Sequence, residues 1–133
     1  MPLRSSEPTA RPEVALLTRD LMIRARVEAA LGSAVEHLQV LAGGELPGGL
    51  DLLLVDLNRD APERLAWLEH TAAPGAGAEV ICFGRHTEMA ELNPRARAAG
   101  AARCVANSHL PETLQRWLRS RRRAPSPPMR GTP

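Results

Sequence analysis

The chain contains no lysine and no tyrosine. Without lysine there is no Schiff-base nucleophile, no ammonium group to pair with nucleotide phosphates and no lysine-based switch. Aromatic residues are confined to Trp67, Phe83 and Trp117, so a core has to be filled by Leu, Val, Ile, Ala and Met. Only two cysteines occur, Cys82 and Cys104, both inside apparent strands. That usage fits reduced core thiols of a cytosolic protein, with a disulfide open only if the strands bring the two into register. Together with His86 and His109 they match no zinc-ligand spacing, and no structural metal is expected. Long apolar runs are missing too, which excludes a membrane-spanning helix. Residues 1–12 have no apolar segment that would read as a secretory signal. The expected location is therefore cytoplasmic. The glycine-rich stretch Gly43–Gly49 lacks the lysine and the following Ser/Thr of a phosphate-cradling loop.

Acidic residues are absent from one part of the chain. The formal charge of +2 conceals a C-terminal stretch in which Arg119, Arg121, Arg122, Arg123 and Arg130 stand without an acid. Residues 1–118 hold 12 arginines against 15 acidic residues, a net of −3. A mildly acidic body with a basic tail argues against a nucleic-acid face spread over the domain. Any such contact, or one to anionic lipid, is limited to the Arg119–Arg123 tail. The bland alternative for those arginines is that they solubilise the last helix and complement its dipole.

What is present is one domain's worth of alternating apolar segments. The run Leu50–Leu57 is the most apolar and ends at Asp56, followed by the turn formers Asn58, Asp60 and Pro62. A short unbroken run of this kind reads as a strand buried on both faces. Val14–Leu17, Val35–Leu41, Glu79–Phe83 and Ala102–Ala106 are expected as further strands. Helices are expected over Leu21–Leu31, Ala61–Ala73, Glu88–Ala99 and Pro111–Ser120. Asp20 is placed to cap the first helix, and Gly32 to end it. Pro94 should disturb or restart the third. Residues 1–12 and 121–133, rich in proline, are expected to be disordered, leaving a domain over 13–120. Five strands alternating with four or five helices imply a doubly wound parallel α/β sheet, most compactly in the order 2-1-3-4-5. Its switch point lies between the first and third strands, whose carboxyl ends carry Thr18-Arg19-Asp20 and Asp56.

Over residues 13–119 the chain resembles the receiver domain of bacterial response regulators. Asp51-Leu52-Leu53-Leu54-Val55-Asp56-Leu57 is similar to the strand that presents the family's phosphate-accepting aspartate. Gly100 to Glu112 keeps, without a gap, the length of the family's Gly-Ala-Asp-Asp-Tyr-Leu-Val-Lys-Pro-Phe segment and the helix start after it. The resemblance implies a flavodoxin-like receiver fold, and a pocket in which Mg²⁺ is held by the acceptor aspartate, an acidic pair and a backbone carbonyl. Here the acidic pair falls on Thr18 and Arg19, with only Asp20 acidic one place later. Asp56 keeps the acceptor position, and Asn58 would supply the carbonyl. The family's phosphate-binding hydroxyl falls on Gly84 and its lysine on Asn107. Mg²⁺ held by Asp56 beside Arg19 would bind poorly, and no cofactor is expected.

Two readings of Arg19 stay open: a guanidinium paired with Asp56, or an ordinary solvent-exposed side chain. Arg85 and His86 sit at the same rim, where they could bind an anion or, for His86, cap the next helix. The resemblance also implies an interaction face on the family's fourth helix, fifth strand and fifth helix. Carried over, it includes Leu92, Arg95, Arg97, Val105, Leu110 and Arg116, with Trp117 either contributing or serving the core. The leading expectation is a stand-alone, degenerate receiver in bacterial signalling that is not an enzyme. It would bind a protein partner or a second copy of itself as a homodimer, independently of phosphorylation. A weakly active phospho-receiver on Asp56 and a small-ligand binder in the same crevice are the alternatives.

Overall fold

In a computed structural model, residues 11–71 and 73–123 are described. The strands are β1 (Val14–Leu17), β2 (Leu38–Leu41), β3 (Leu52–Asp56), β4 (Glu79–Gly84) and β5 (Arg103–Ala106). The α-helices are α1 (Leu21–Leu31), α2 (Ala61–Thr71), α3 (Met89–Ala98) and α4 (Leu110–Arg123). All five strands are parallel and lie in the order β2-β1-β3-β4-β5. This is the doubly wound, flavodoxin-like arrangement expected from the sequence.

Alternation along the buried strands divides the core in two. Val14, Leu16, Leu52, Leu54, Ile81 and Phe83 face α1 and α4, where Val27, Leu31, Leu114 and Leu118 meet them. Ala15, Leu17, Leu53, Val55, Val80 and Cys82 face the other way, onto Leu65, Leu68, Leu92 and Ala96 of α2 and α3. Every residue of β3 is buried, including Asp56. Strand β2 is an edge, and Val40 on it is among the few exposed large apolar side chains.

The β2–β3 connection carries no helix among the described residues. Its glycines Gly43, Gly44 and Gly49 adopt positive φ, a backbone region open to glycine at little cost. Leu46 and Trp67 pack against the core from this side, and Trp67 Nε1 donates to the Gly44 carbonyl at 2.8 Å. The family's fourth and fifth helices thus correspond to α3 and α4.

Several boundaries move. Helix α3 runs through Pro94 without restarting, preceded by a short 3₁₀ turn at His86–Glu88. The bond lost at Pro94 is the one to the Ala90 carbonyl, and both residues are exposed, so water can satisfy it. Helix α4 reaches Arg123, three residues into the stretch expected to be disordered. Arg121 explains the extension: it lies over the Trp117 ring at 5.2 Å and pairs with Asp51 at 3.4 Å. Ala72, within the helix expected over Ala61–Ala73, the lead-in up to residue 10 and the tail from 124 lie outside the described residues.

Candidate functional site

The carboxyl ends of β1 and β3 meet at the expected switch point, and Asp56 sits there at 2% exposure. A buried carboxylate has to be paired or hydrogen-bonded. Asp56 Oδ1 accepts from the Asn58 backbone N–H at 2.8 Å and from Asn58 Nδ2 at 2.7 Å. Oδ2 accepts from the Thr18 hydroxyl at 2.7 Å and faces Arg64 Nη1 at 3.5 Å. Arg64 Nη1 also donates to the Asp56 backbone carbonyl at 2.7 Å. Both oxygens are therefore occupied by donors of the chain itself.

The cation beside Asp56 is Arg64, and of the two readings of Arg19 the solvent-exposed one is found. Arg64 projects from the first turn of α2, which starts at the same rim, and its side chain is 11% exposed. Arg19 is exposed and lines a cleft of about 490 Å³ above the site, together with Asp20, Asp56, Asn58 and Arg64. Asp20 caps α1, its Oδ1 accepting from the Met22 and Ile23 N–H groups. The Asp20 N–H in turn donates to Thr18 Oγ1 at 3.1 Å. Thr18 thus links β1, α1 and Asp56 through one hydroxyl.

Asn58 and Asn107 form a reciprocal amide pair. Asn107 Nδ2 donates to Asn58 Oδ1 at 2.8 Å, and Asn58 Nδ2 donates to Asn107 Oδ1 at 3.1 Å. The residue standing where the family has a lysine is therefore tied to the loop after β3 rather than directed at an anion. Gly84 ends β4, and a side chain there would place its Cβ 3.2 Å from Leu92 Cδ1 and 3.4 Å from Met89 Cε. Apolar side chains have closed over the position of the family's hydroxyl.

Arg85 and His86 are exposed at the rim, and Arg85 approaches Glu88 only at 3.9 Å. Neither the 3₁₀ turn nor α3 receives a side-chain cap, so His86 does not have the capping role considered for it. Among the described residues no group of three or more His, Cys, Asp or Glu could hold a metal ion. The donor set at Asp56 does not fit Mg²⁺ either. One carboxylate already faces a guanidinium, and of the two other acids lining the cleft Asp20 is committed to a helix N-terminus, which leaves Asp60 alone.

The expected interaction face needs correction. Leu92 and Leu110 are buried at 4% and 6% exposure, and Val105 is half-buried against the α1/α4 core. Periodicity turns these side chains inward, because α3 and α4 have only one apolar stripe each to cover the sheet. Arg95, Arg97 and Arg116 remain exposed there, joined by Arg103 of β5. Trp117 belongs to the core, and its Nε1 donates to Glu79 Oε1 at 3.2 Å. Cys82 and Cys104 are direct neighbours in the β4–β5 register and are both free, buried thiols. Burial, and to a lesser degree the neighbouring Cys104, push the Cys82 thiol pKa far up. Cys104 is raised by burial and pulled partly back by Arg97. Neither thiol is poised as a nucleophile.

With five parallel strands in this order and the strand-end aspartate at the switch point, the chain has the fold of a response regulator receiver domain. The solved structures agree. A response regulator receiver protein from Pseudoalteromonas atlantica matches with a TM-score of 0.66 and 15% identity, covering 83% of this chain and 96% of its own. A receiver domain of a two-component response regulator from Bacteroides fragilis gives a TM-score of 0.65 at 16% identity, over 85% and 98% of the two chains. The BeF3-activated DrrB receiver domain, from a Thermotoga maritima protein, gives 0.67 at 15% identity, over 84% and 97%. No protein-family model and no curated protein matches the sequence.

Proposed function

We propose that the chain is a receiver-fold module of bacterial signalling that works by binding a protein partner in the cytoplasm, without phosphoryl transfer to Asp56. The observation that carries this is the closure of Asp56 by Asn58, Thr18 and Arg64. Phosphorylation would have to break contacts that already neutralise the carboxylate, and with Asp20 held by the α1 N-terminus only Asp60 is left in the cleft to help bring Mg²⁺. Arg64 replaces metal and phosphate charge by an internal one, which holds the rim in a single state.

The partner docks on the face formed by α3, β5 and α4. Among the described residues, Arg97 and Arg103 form no ion pair, whereas Arg95 and Arg116 are paired within their own helices to Glu91 and Glu112. Two free arginines on this face favour an acidic protein surface over a second copy of the chain.

A two-dimensional amide NMR titration tests the reading, first with Mg²⁺ and then with Mg²⁺ plus beryllofluoride, a mimic of the aspartyl phosphate. The expected result is no saturable shift at Asp56, Gly84 or Asn107. Saturable shifts spreading from Asp56 to those positions would overturn it in favour of a phospho-receiver.

A further inference from the structure

Beside the Asp56 site, and sharing Asp20, Asn58 and Arg59 with its cleft, a second cleft of about 320 Å³ opens between α1 and α4 at the carboxyl edge of the sheet. Its accessible apolar lining includes Met22 and Ile23 of α1 and Pro111 of α4, set over the buried core residues Val27, Phe83 and Leu114. Three exposed arginines line it as well: Arg26 on α1, Arg59 after β3 and Arg85 after β4. Arg26 and Arg59 form no ion pair among the described residues, and Arg85 meets Glu88 only at 3.9 Å across two half-open side chains. One acid, Asp20, lines the cleft, and its Oδ1 is taken up by the α1 N-terminus.

Arginines from three separate segments lining one cleft with apolar side chains select for a particular chemistry. A simple inorganic anion would leave the apolar lining unused, and a neutral hydrocarbon would leave the arginines unpaired. We infer that this cleft binds a small organic carboxylate with an apolar alkyl or aryl body, the body on Met22, Ile23 and Pro111 and the carboxylate among Arg26, Arg59 and Arg85. Its volume is at the small end of ligand sites, roughly 300–1,000 Å³, which suits a compact acid rather than a nucleotide. Arginine's planar fork matches a carboxylate through two parallel hydrogen bonds.

The cleft is also lined by Asn58, which donates to Asp56, and by Asn107, which is paired with Asn58. Occupancy therefore reaches the acceptor site through two side chains without any change at Asp56 itself. Binding here does not depend on whether Asp56 can be phosphorylated, and the two are separable by experiment.

Octanoate and 2-naphthoate are titrated separately into the full chain and followed by amide NMR, with octanol and inorganic phosphate as controls. At least one acid is expected to saturate with a Kd below about 1 mM, shifting the amides of Met22, Ile23 and Arg85. Each control should bind at least about tenfold more weakly, equivalent to about 1.4 kcal/mol. The doubly substituted Arg26→Glu/Arg59→Glu chain should lose at least that factor. Both positions are exposed, and an unchanged amide spectrum elsewhere verifies its fold. Arg11→Glu, exposed before β1 and so at the opposite, amino edge of the sheet, should bind as the parent does. Saturation by neither acid, octanol binding as tightly as octanoate, or shifts mapping outside the cleft would each overturn the inference.

Discussion

Asp56 and Arg64 share one burial problem. Removing the guanidinium leaves a carboxylate at 2% exposure with its other donors still in place. Breaking a buried pair costs roughly 3–5 kcal/mol when one charge is stranded, and the remaining donors reduce that. Arg64→Met is accordingly expected to lower unfolding stability by about 2–3 kcal/mol in urea titration. Arg19→Ala should stay within about 0.5 kcal/mol of the parent, since Arg19 is exposed and unpaired among the described residues. Equal losses for the two would mean that the wrong arginine has been assigned. The contrast also explains what the sequence could reveal at this scale. Asp56 was legible because it terminates an apolar run, and Arg19 because it follows β1. Arg64 was hidden on a helix where any arginine reads as solvent-facing. A helix that begins at the strand-end rim folds its first-turn side chains back over that rim, and this was the signal available.

Elements were legible where one local rule dominated. Helix α1 begins and ends as expected because Asp20 caps it and Gly32, at φ 56°, closes it. Asp20→Ala should cost about 1 kcal/mol and loosen Thr18, whose hydroxyl accepts the Asp20 N–H. Pro94 misled because the one bond it removes is to the exposed Ala90 carbonyl, which water can satisfy, so the helix continues through it. The interaction face misled for a related reason. Leu92 and Leu110 were read as surface anchors, although an amphipathic helix with a single apolar stripe has to spend it on the sheet. The helix-free β2–β3 connection was readable as a glycine-rich loop, but its anchor was not. Trp67 sits off the α2 stripe because its indole reaches the Gly44 carbonyl. Trp67→Phe keeps most of the packing and deletes that bond, so a loss of about 0.5–1.5 kcal/mol is expected. Faster amide hydrogen exchange should be confined to the Ala42–Gly49 loop; uniform acceleration across the sheet would contradict a local tether.

At the scale of the whole molecule, the composition that excluded so much also isolates one titration. With neither lysine nor tyrosine, the side chains ionising between the histidines and the arginines are Cys82 and Cys104 alone. Both thiols are held protonated in the folded state by burial, next to each other in the β4–β5 register. In the unfolded chain they ionise near pH 8.5. Above that pH the unfolded state binds fewer protons than the native one, so stability falls as pH rises and the full contribution is kept below about pH 8. Each thiol contributes a slope of up to about 1.4 kcal/mol per pH unit, less for Cys104, which Arg97 partly offsets. Urea unfolding from pH 7 to 10 should therefore show a plateau and then a loss of about 2–4 kcal/mol. Cys82→Ala/Cys104→Ala lowers the plateau through lost packing, but its decline above pH 8.5 should largely vanish. The slope, rather than the absolute stability, is the diagnostic quantity. A double variant that declines as steeply as the parent would place the alkaline sensitivity outside the β4–β5 pair and contradict the protonated, core-bound state of both thiols.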